Sequence, residues 1–577
     1  MIKLTVPAIF PVLALIFAIA IVGCSSQLEP AELILLNGKL VTVDDDRPEA
    51  QALAASGGRI VAVGTDEEIE RYRGPDTRVI DLDGNLAIPG FIEGHAHFLG
   101  IGRSLMIVDL KGARSWSEVV ERVAAAAARA EPGEWIQGRG WHQEKWDEAP
   151  RPDVEGYPVH DELSRATPDN PVVLGHASGH AVMANALAME LAGIDASTPD
   201  PDGGQILHDA KGRPIGVLRE TAEDLVGTAV GEAMAARSED EIEQEFSRRV
   251  ELATQECLSK GVTSFHDAGV SFASIERLRK AAADGRLGVR LWVMIGEGNE
   301  SLKQGVDAFP VIGEADHMIT VRGIKRLLDG ALGSHGAWLL EPYSDLPESS
   351  GLNTLTVEEL EETAEIAVEH GLQLCVHAIG DRANREVLDV YEQTFERYPD
   401  RTDLRWRIEH AQHLSPADIP RFAQLDVIAS MQAVHCTSDG PWVPERLGDE
   451  RCESGAYVWR SLIDSGAVVS NGTDAPVEDV DPLANFLAAV SRRMRNGEEF
   501  YPDQRMTREE ALRAGTLNAA YSAFEEETKG SLTPGKLADV VVLSRDIMTV
   551  PVEEISETEV LYTIVGGEIA YTNPRLR

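Results

Sequence analysis

The chain has 577 residues, 43% of them hydrophobic, which is too long for one ordinary compact domain. We therefore expect one large domain and at least one smaller unit. The 96 Asp and Glu residues outnumber the 53 Lys and Arg residues, so the formal net charge is −43. Because the acidic residues are spread along the chain, this charge argues against nucleic acid as a partner and predicts a solvated acidic surface.

The N-terminus, "MIKLTVPAIFPVLALIFAIAIVGCSS", contains an apolar run over residues 4–22 that ends in small residues. The run is nearly long enough to span a membrane as a helix, but Pro7, Pro11 and the small residues that follow favour a cleaved export signal over residues 1–23. The segment resembles a bacterial lipoprotein signal, in which Cys24 is lipidated after cleavage. This resemblance implies an exported protein of the cell envelope that faces the periplasm and meets the membrane only through its lipid anchor.

Short strand-like segments separated by Gly and Asp turns occur at both ends of the mature chain. Near the N-terminus they are "AELILLNGKLVTVDD", "QALAASGGRIVAVG" and "TRVIDLDGNLAIPG", and near the C-terminus "GSLTPGKLADVVVLSRD" and "EVLYTIVGGEIAYTN". We therefore expect a small β-sandwich assembled from residues 24–87 and 527–577.

The middle of the chain, residues 88–526, alternates apolar strand-like runs with helical stretches, which predicts an α/β fold with a parallel sheet. The runs are "AIPGFIEGHAHF", "GVTSFHDAG", "GVRLWVMIG", "MITVRGIKRLLDG", "LQLCVHAIGD", "RWRIEHAQ", "DVIASMQ" and "GAVVSNGTDAP". Eight such runs match a TIM-like (β/α)8 barrel. The interval from about 101 to 258 is too long for an ordinary connection, so we expect an inserted subdomain over the barrel mouth.

Histidines and one aspartate stand at the ends of several of these runs. His95 and His97 are two residues apart on a strand, so they project to the same side, although such a pair is as often structural or incidental. His377, His410 and Asp474 end later runs. The carboxyl ends of barrel strands meet at one mouth, and a set of imidazoles and a carboxylate there suits Zn²⁺.

Lys325, in "VRGIKRLLDG", is unexpected among metal ligands because a positive charge repels a cation. A buried lysine can lose its proton and react with CO2 to give an anionic carbamate that bridges two metals. A surface lysine in a salt bridge is the alternative.

These residues lie in a series of motifs that resembles the amidohydrolase superfamily, in particular amidohydrolase family 3, the YtcJ-like branch that includes N-substituted formamide deformylases. The resemblance covers nearly all of the mature chain. The motifs, in chain order, are "PGFIEGHAH", "GHASGHAVMANALA", "PDGGQILHDAKGRPIGVLRE", "GVTSFHDAG", "IKRLLDGALGS", "VHAIGDRAN", "RIEHAQHLSP", "NGTDAPV" and "GSLTPGKLADVVVL".

The resemblance implies a metal-dependent hydrolase barrel that holds two divalent metals, expected to be zinc. His95 and His97 are then ligands of the more buried metal, and His377 and His410 are ligands of the other. The implied role of a carboxylated Lys325 is to bridge the two metals. Asp474 is implied to be both a ligand and the catalytic acid and base.

The motifs depart from the family pattern at three places. Glu93 stands where Asp is usual, Thr473 stands where Ser is usual, and "GHASGH" lacks the usual Arg-x-Asp before its Gly-His. The last difference concerns the substrate side of the site. Further candidates for substrate contact or for support of the ligands are His180, His266, Asp329, Asp381 and Arg382.

The implied reaction is hydrolysis of a non-peptide C–N bond in a small molecule, such as an N-substituted amide or formamide, by a metal-activated water. A deaminase or an ester or lactone hydrolase on the same scaffold is the first alternative. Mononuclear deaminases of the superfamily carry Glu two residues after the fifth-strand His, whereas Ala378 and Ile379 follow His377 here. A surface lipoprotein that binds metal or ligand without turnover is the second alternative. The oligomeric state stays open, a dimer included.

The chain has five cysteines, without the CxxC spacing of a metal ribbon. Besides Cys24, the pair Cys436 and Cys452 could form a disulfide in an oxidising compartment. Free buried thiols are an equally good interpretation.

Overall fold

The computed structural model describes residues 29–143, 146–176, 181–201 and 204–576. The predicted export signal over residues 1–23, the lipidation site Cys24 and the candidate His180 therefore lie outside the described residues. In the described part of the chain, no helix has the length and apolar character needed to cross a membrane.

Eight parallel strands form one continuous sheet in which chain order is also spatial order. They are β1 (Phe91–Ala96), β2 (Val262–Val270), β3 (Arg290–Ile295), β4 (Ile319–Leu327), β5 (Gln373–Ala378), β6 (Arg407–His410), β7 (Ile428–Met431) and β8 (Val469–Asn471). Each strand coincides with one of the predicted runs, with only Val270 of β2 lying beyond its run, so the barrel is confirmed. A short strand, Val311–Gly313, pairs antiparallel with β4.

Helices follow the strands and pack their apolar faces on the barrel in one large core. The first helix after each strand, taken from β1 to β8, is Phe98–Ser104, Phe272–Ala283, Asn299–Gly305, Val357–His370, Asp381–Arg397, Ile419–Gln424, Ala433–Asp439 and Pro482–Ser491. Val443–Leu447, Asp449–Gly455 and Trp459–Asp464 also lie between β7 and β8, and Arg508–Ala514 and Leu517–Ser522 follow β8.

The barrel closes between β8 and β1 through a short set of hydrogen bonds. The backbone N–H of Asp474 donates to His95 O at 2.7 Å, and that of His97 donates to Ala475 O at 2.8 Å. The carboxylate of Glu93 accepts from the backbone N–H of Thr473 at 2.7 Å and from its hydroxyl at 2.8 Å. Glu93 and Thr473, two of the departures from the family pattern, are thus direct partners that hold the first and last strand ends together.

Two sheets from the chain termini pack face to face and share one apolar core. One has the order Arg59–Gly64, Ala52–Ser56, Leu33–Leu36 and Arg78–Asp81. The other has the order Glu568–Thr572, Val560–Val565, Val540–Leu543, Leu86–Pro89, Lys39–Val41 and Glu49–Ala50. The predicted β-sandwich is confirmed. A buried ion pair joins it to the barrel, because Arg290 at the start of β3 contacts both carboxylate oxygens of Asp539, at 2.9 and 3.1 Å.

A third, mixed sheet lies between β1 and β2 in the chain and has apolar cores of its own, as expected for an insertion. Its strands, in spatial order, are Gly204–His208, Pro214–Glu220, Ala181–Ala184, Val172–His176, Ile136–Trp141 and Val108–Asp109. The associated helices are Trp116–Ala127, Asp161–Ala166, Ala186–Leu191 and Glu223–Ala235. The helix Glu239–Ser259 instead contributes Phe246, Val250 and Cys257 to the barrel core. The limits 101 and 258 of the insertion stay a prediction.

The four cysteines of the described residues, Cys257, Cys375, Cys436 and Cys452, are free and buried. The alternative of a disulfide between Cys436 and Cys452 was therefore wrong. Burial raises the pKa of each of these two thiols to about 12, so both are protonated near neutral pH.

Candidate metal centre

The predicted ligands from the ends of β1, β5 and β6 meet Asp474, which follows β8, at the carboxyl end of the barrel. Asp474 Oδ1 lies 3.3 Å from His97 Nε2 and 3.7 Å from His95 Nε2. The ring centre of His410 lies 4.8 Å from that of His95 and 4.4 Å from that of His377. Side chains that are hundreds of residues apart in the chain therefore form one cluster, as the strand-end pattern predicts.

The backbone turns sharply where His410 and Asp474 enter this cluster. His410 follows Glu409 directly, and regular strand alternation would put their side chains on opposite faces of the sheet. His410 has a φ of 74° and Asp474 a φ of 59°, in the left-handed region that non-glycine residues rarely adopt. The turn at His410 therefore places its imidazole on the inner side of the barrel, the side that Glu409 also faces. Backbone strain of this kind is concentrated at functional sites.

Lys325 lies inside the barrel on β4, with 5% of its surface exposed. Burial lowers the pKa of its amine, although Glu409 and Asp474 act in the opposite direction. Within the described ranges it forms no ion pair shorter than 4 Å. The alternative of a surface lysine in a salt bridge was therefore wrong, and a buried amine with a lowered pKa is what a carbamate requires.

The cluster fits a divalent metal by the chemistry of its donor atoms. Ligand atoms of His95, His97 and Asp474 all lie within 4.8 Å of one another, and those of His410, His435 and Asp474 do likewise. The Nε2 atoms of His377 and His435 are buried without a hydrogen-bond partner among the described residues. Buried polar atoms are costly when unpaired, and a metal ion or a bound ligand would satisfy them. Imidazole and carboxylate donors together suit zinc.

The protonation states also suit a metal. Burial lowers the pKa of His377 to about 3, and it lowers the pKa values of His95 and His410 as well, so these imidazoles are neutral and offer a lone pair. His97 is different, because burial lowers its pKa but the hydrogen bond and charge of Asp474 raise it overall. Binding of a cation would displace this proton.

His435 belongs to the cluster although the strand-end pattern missed it. It lies on the helix Ala433–Asp439, and its Nε2 is 4.0 Å from Asp474 Oδ2. Its ring is nearly parallel to that of His410, at 14° and 6.3 Å between ring centres. The run that predicted β7 ends without a metal-binding side chain, so His435 lies one helical turn beyond the position where a ligand was sought. A search of the first turn after each run would have found it.

A buried ion pair of Glu409 and Arg407 orients the imidazole of His95. This pair was not predicted from the sequence. Nδ1 of His95 lies 2.5 Å from Glu409 Oε2, and Arg407 Nε lies 2.7 Å from Glu409 Oε1. Burial raises the pKa of Glu409, but Arg407 and His95 lower it more, to well below its ordinary value. The ionised Glu409 therefore accepts a hydrogen bond from the Nδ1–H of His95 and leaves Nε2 free for a metal. His410 is held similarly, with its Nδ1 at 2.7 Å from Gln432 Oε1.

Glu409→Gln is expected to weaken zinc affinity by about 10–100-fold, because an amide holds the Nδ1 proton of His95 less strongly than a carboxylate. The measurement is a zinc titration against a competing chelator, with circular dichroism to verify the fold. Glu396→Gln, at an exposed position on the helix Asp381–Arg397, is the matched control. Unchanged zinc affinity in Glu409→Gln would contradict the role of Glu409.

Asp329 supports the loop behind His377. Its carboxylate is fully buried and accepts backbone hydrogen bonds from Ile379 at 2.9 Å and from Gly380 and Trp338 at 2.8 Å. Its Oδ1 also lies 3.5 Å from His377 Nε2. Burial raises the pKa of Asp329 to about 7. Asp329 therefore shapes the turn that carries His377, whereas a contact with substrate stays a prediction.

The other supporting candidates lie at different distances from the centre. His266 is buried in the barrel interior, where Arg407 Nη1 lies 3.1 Å from its Nδ1. Asp381 accepts a hydrogen bond from the backbone N–H of Leu340 at 2.9 Å. Arg382 stacks on Trp338, with its guanidinium carbon 4.8 Å from the ring centre. The contacts of Asp381 and Arg382 thus order the loop that follows β4, and a substrate role for either stays a prediction.

Comparisons with known proteins agree with this geometry. A profile of the amidohydrolase family matches residues 78–571. The Arabidopsis thaliana protein LONG AFTER FAR-RED 3 is 34% identical over 94% of this chain and 92% of its own length. YtcJ of Bacillus subtilis is 30% identical over 92% of this chain and 98% of its own length. N-substituted formamide deformylase of Arthrobacter pascens is 30% identical over 94% of this chain and 98% of its own length.

Solved structures include the same architecture. An uncharacterized metal-dependent hydrolase from Pyrococcus horikoshii superposes with a TM-score of 0.74 at 27% identity, over 90% of this chain and 99% of that chain.

Proposed function

Because the chain belongs to the amidohydrolase family, whose solved relatives include metal-dependent hydrolases, we propose that it hydrolyses a non-peptide C–N bond in a small N-substituted amide or formamide. The observation that carries this proposal is the meeting of His95, His97, His410 and Asp474 at the carboxyl end of the barrel. The formamide deformylase among the relatives, which matches over most of both chains, supports the substrate class.

The residues that would hold two zinc ions are those of the cluster. His95, His97 and Asp474 would bind one ion, His377 and His410 the other, and a carboxylated Lys325 would bridge them. The burial and lowered pKa of Lys325 support the carbamate, since only a neutral amine can attack CO2. Bound zinc supplies a water of lowered pKa and polarises the substrate carbonyl.

Asp474 is the proposed proton carrier. Burial raises the pKa of Asp474, but the hydrogen bond with His97 and the charges of His410 and His95 lower it more, to well below its ordinary value. The carboxylate is therefore ionised and can take a proton from the attacking water. When the C–N bond breaks, it passes that proton to the departing nitrogen. The water is consumed, and the products are a carboxylic acid and an amine.

The proposed place of this reaction is outside the cytoplasm, with the protein anchored through a lipid on Cys24. The apolar run and small residues at the N-terminus support this proposal. A small-molecule substrate is the expected partner, and the net charge of −43 argues against nucleic acid.

Purified protein is expected to contain about two zinc ions and to hydrolyse part of a panel of N-substituted formamides, amides, carbamates, esters and lactones. A strong chelator should abolish the activity, and added zinc should restore it, because the proposed water is activated by metal. Metal analysis and amine release are the measurements. Protein that holds metal and hydrolyses nothing on the panel would contradict the proposal. Hydrolysis of lactones or esters alone would favour the alternative on the same scaffold.

A further inference from the structure

We infer that His435 is a further catalytic residue, whose Nε2–H donates a hydrogen bond to the substrate carbonyl oxygen as that oxygen becomes anionic. The inference rests on the proposed hydrolysis and adds a residue to which neither the sequence pattern nor the relatives' names give a role. The starting observation is Nε2 of His435, which is buried at the centre without a hydrogen-bond partner among the described residues.

His435 and Asp474 lie close together at the centre. Oδ1 of Asp474 faces His95 and His97, at 3.7 and 3.3 Å, whereas Oδ2 faces His435, at 4.0 Å. His435 is 8% exposed, and its Nε2 has no hydrogen-bond partner in the described residues. The imidazole thus lies across the proton-carrying carboxylate from the His95 and His97 pair, and its free nitrogen faces the space beside that carboxylate.

The helix that carries His435 is held rigidly against the site. The backbone N–H of Ala433 donates to Asn471 Oδ1 at 3.0 Å, and that of Val434 donates to Asn485 Oδ1 at 2.9 Å. Asn471 ends β8, three residues before Asp474, so the two catalytic side chains are tied to one strand end. A donor fixed in advance stabilises a developing charge without reorganisation cost at the moment of reaction.

A third observation concerns what lies behind His435. Asp439, one helical turn further, interacts electrostatically with His435 and accepts a hydrogen bond from Tyr457 Oη at 2.9 Å. That hydroxyl in turn accepts from Gln412 Nε2 at 2.6 Å. This hydrogen-bonded chain holds the Asp439 side chain in place one helical turn from His435.

His435 is surplus to the expected metal ligands. Of the six predicted ligand residues, three would bind one ion and two the other. The shared carbamate on Lys325 would give each ion one more donor. The predicted ligands come from strands or the turns directly after them, whereas His435 comes from a helix, beside His410 with its ring parallel to it. We therefore assign His435 to the substrate.

Water adds to the carbonyl carbon while Asp474 takes its proton, and the π electrons of the C=O bond move to the oxygen, which becomes anionic. His435 donates a hydrogen bond to that oxygen and keeps its proton throughout. The carbonyl re-forms as the C–N bond breaks, and the nitrogen leaves with the proton from Asp474. Loss of one such donor typically reduces kcat by about 10²–10³-fold.

His435→Ala is expected to lower kcat for a hydrolysed amide by about 10²–10³-fold, with KM and bound zinc nearly unchanged. His435→Gln, which restores an N–H at similar reach, should recover part of the loss. His370→Ala, at the end of an outer helix, is the matched control. Zinc loss in His435→Ala would make His435 a ligand and overturn the inference, as would unchanged kcat.

A second measurement does not depend on turnover. Methylphosphonate carries tetrahedral anionic oxygens, so wild-type protein with zinc should bind it, and His435→Ala should bind it at least about tenfold more weakly in calorimetric titrations. Equal affinities would contradict the inference. If affinity depends on His435 while no amide on the panel is hydrolysed, the donor role is supported and only the proposed reaction fails.

Discussion

Lys325→Ala is expected to lose most of the bound zinc and to lower kcat/KM by at least about 10³-fold. Lys325 is a buried lysine on β4 that faces the cluster, and its lowered pKa leaves its amine able to form the proposed carbamate. Alanine removes the anion that would bridge the two ions. The repulsion between the two positive charges would then be less compensated. Zinc content and amine release under identical conditions measure the effect.

Chemical rescue makes this prediction specific. Short carboxylates such as acetate or propionate fit the space left by the side chain and should restore part of the zinc content and activity of Lys325→Ala. Lys280→Ala, at a position whose side chain is 66% exposed, is the control and should behave as wild type. Full activity of Lys325→Ala without added carboxylate would exclude the bridging role, and a loss of activity without a loss of zinc would point to a different one.

Asp474→Asn is expected to keep the fold and to lower kcat by about 10²–10⁴-fold, the range of a lost acid and base. The amide has the same shape as the carboxylate, but it cannot take a proton from water at neutral pH. Backbone closure of the barrel should survive, because the bond from Asp474 to His95 O uses the main-chain N–H. Circular dichroism and thermal unfolding verify the fold, and steady-state kinetics gives kcat.

The control for this substitution lies five residues further along the chain. Asp479→Asn changes an exposed carboxylate on the same connection and should leave kcat unchanged. If Asp474→Asn retained more than about a tenth of the wild-type kcat, Asp474 would not be the proton carrier. A large fall in zinc content with little further effect would restrict Asp474 to metal binding.

The barrel, and the position of the candidate ligands at its carboxyl end, could be predicted from the sequence because both depend on local pattern. Parallel strands are covered on both faces, so each appears as a nearly continuous apolar run. The eight runs therefore predicted eight strands, and the rule that strand ends meet at one mouth grouped His95, His97, His377, His410 and Asp474. The terminal β-sandwich was predicted for a similar reason, since alternating strands and Gly turns carry their own local signal.

The contacts that make the cluster a site were not predictable in this way, because they join distant parts of the chain. Glu409 and His95 are 314 residues apart, and Glu93 and Thr473 are 380 apart. No local pattern reports which glutamate lies behind which histidine. His435 is a separate case: it was missed because candidates were sought only within the strand-like runs, and it lies in the first helical turn after β7.

Burial is the second quantity that only the tertiary structure decided. By sequence alone, Lys325 could be a surface lysine or a buried one, and Cys436 and Cys452 could be paired or free. Packing of β4 within the barrel buries the lysine near the candidate ligands, and both thiols are buried and unpaired. The sequence thus determined the strands and the kinds of chemical group at their ends. The three-dimensional packing of segments far apart in the chain decided which of these groups touch, which are charged and which face the centre.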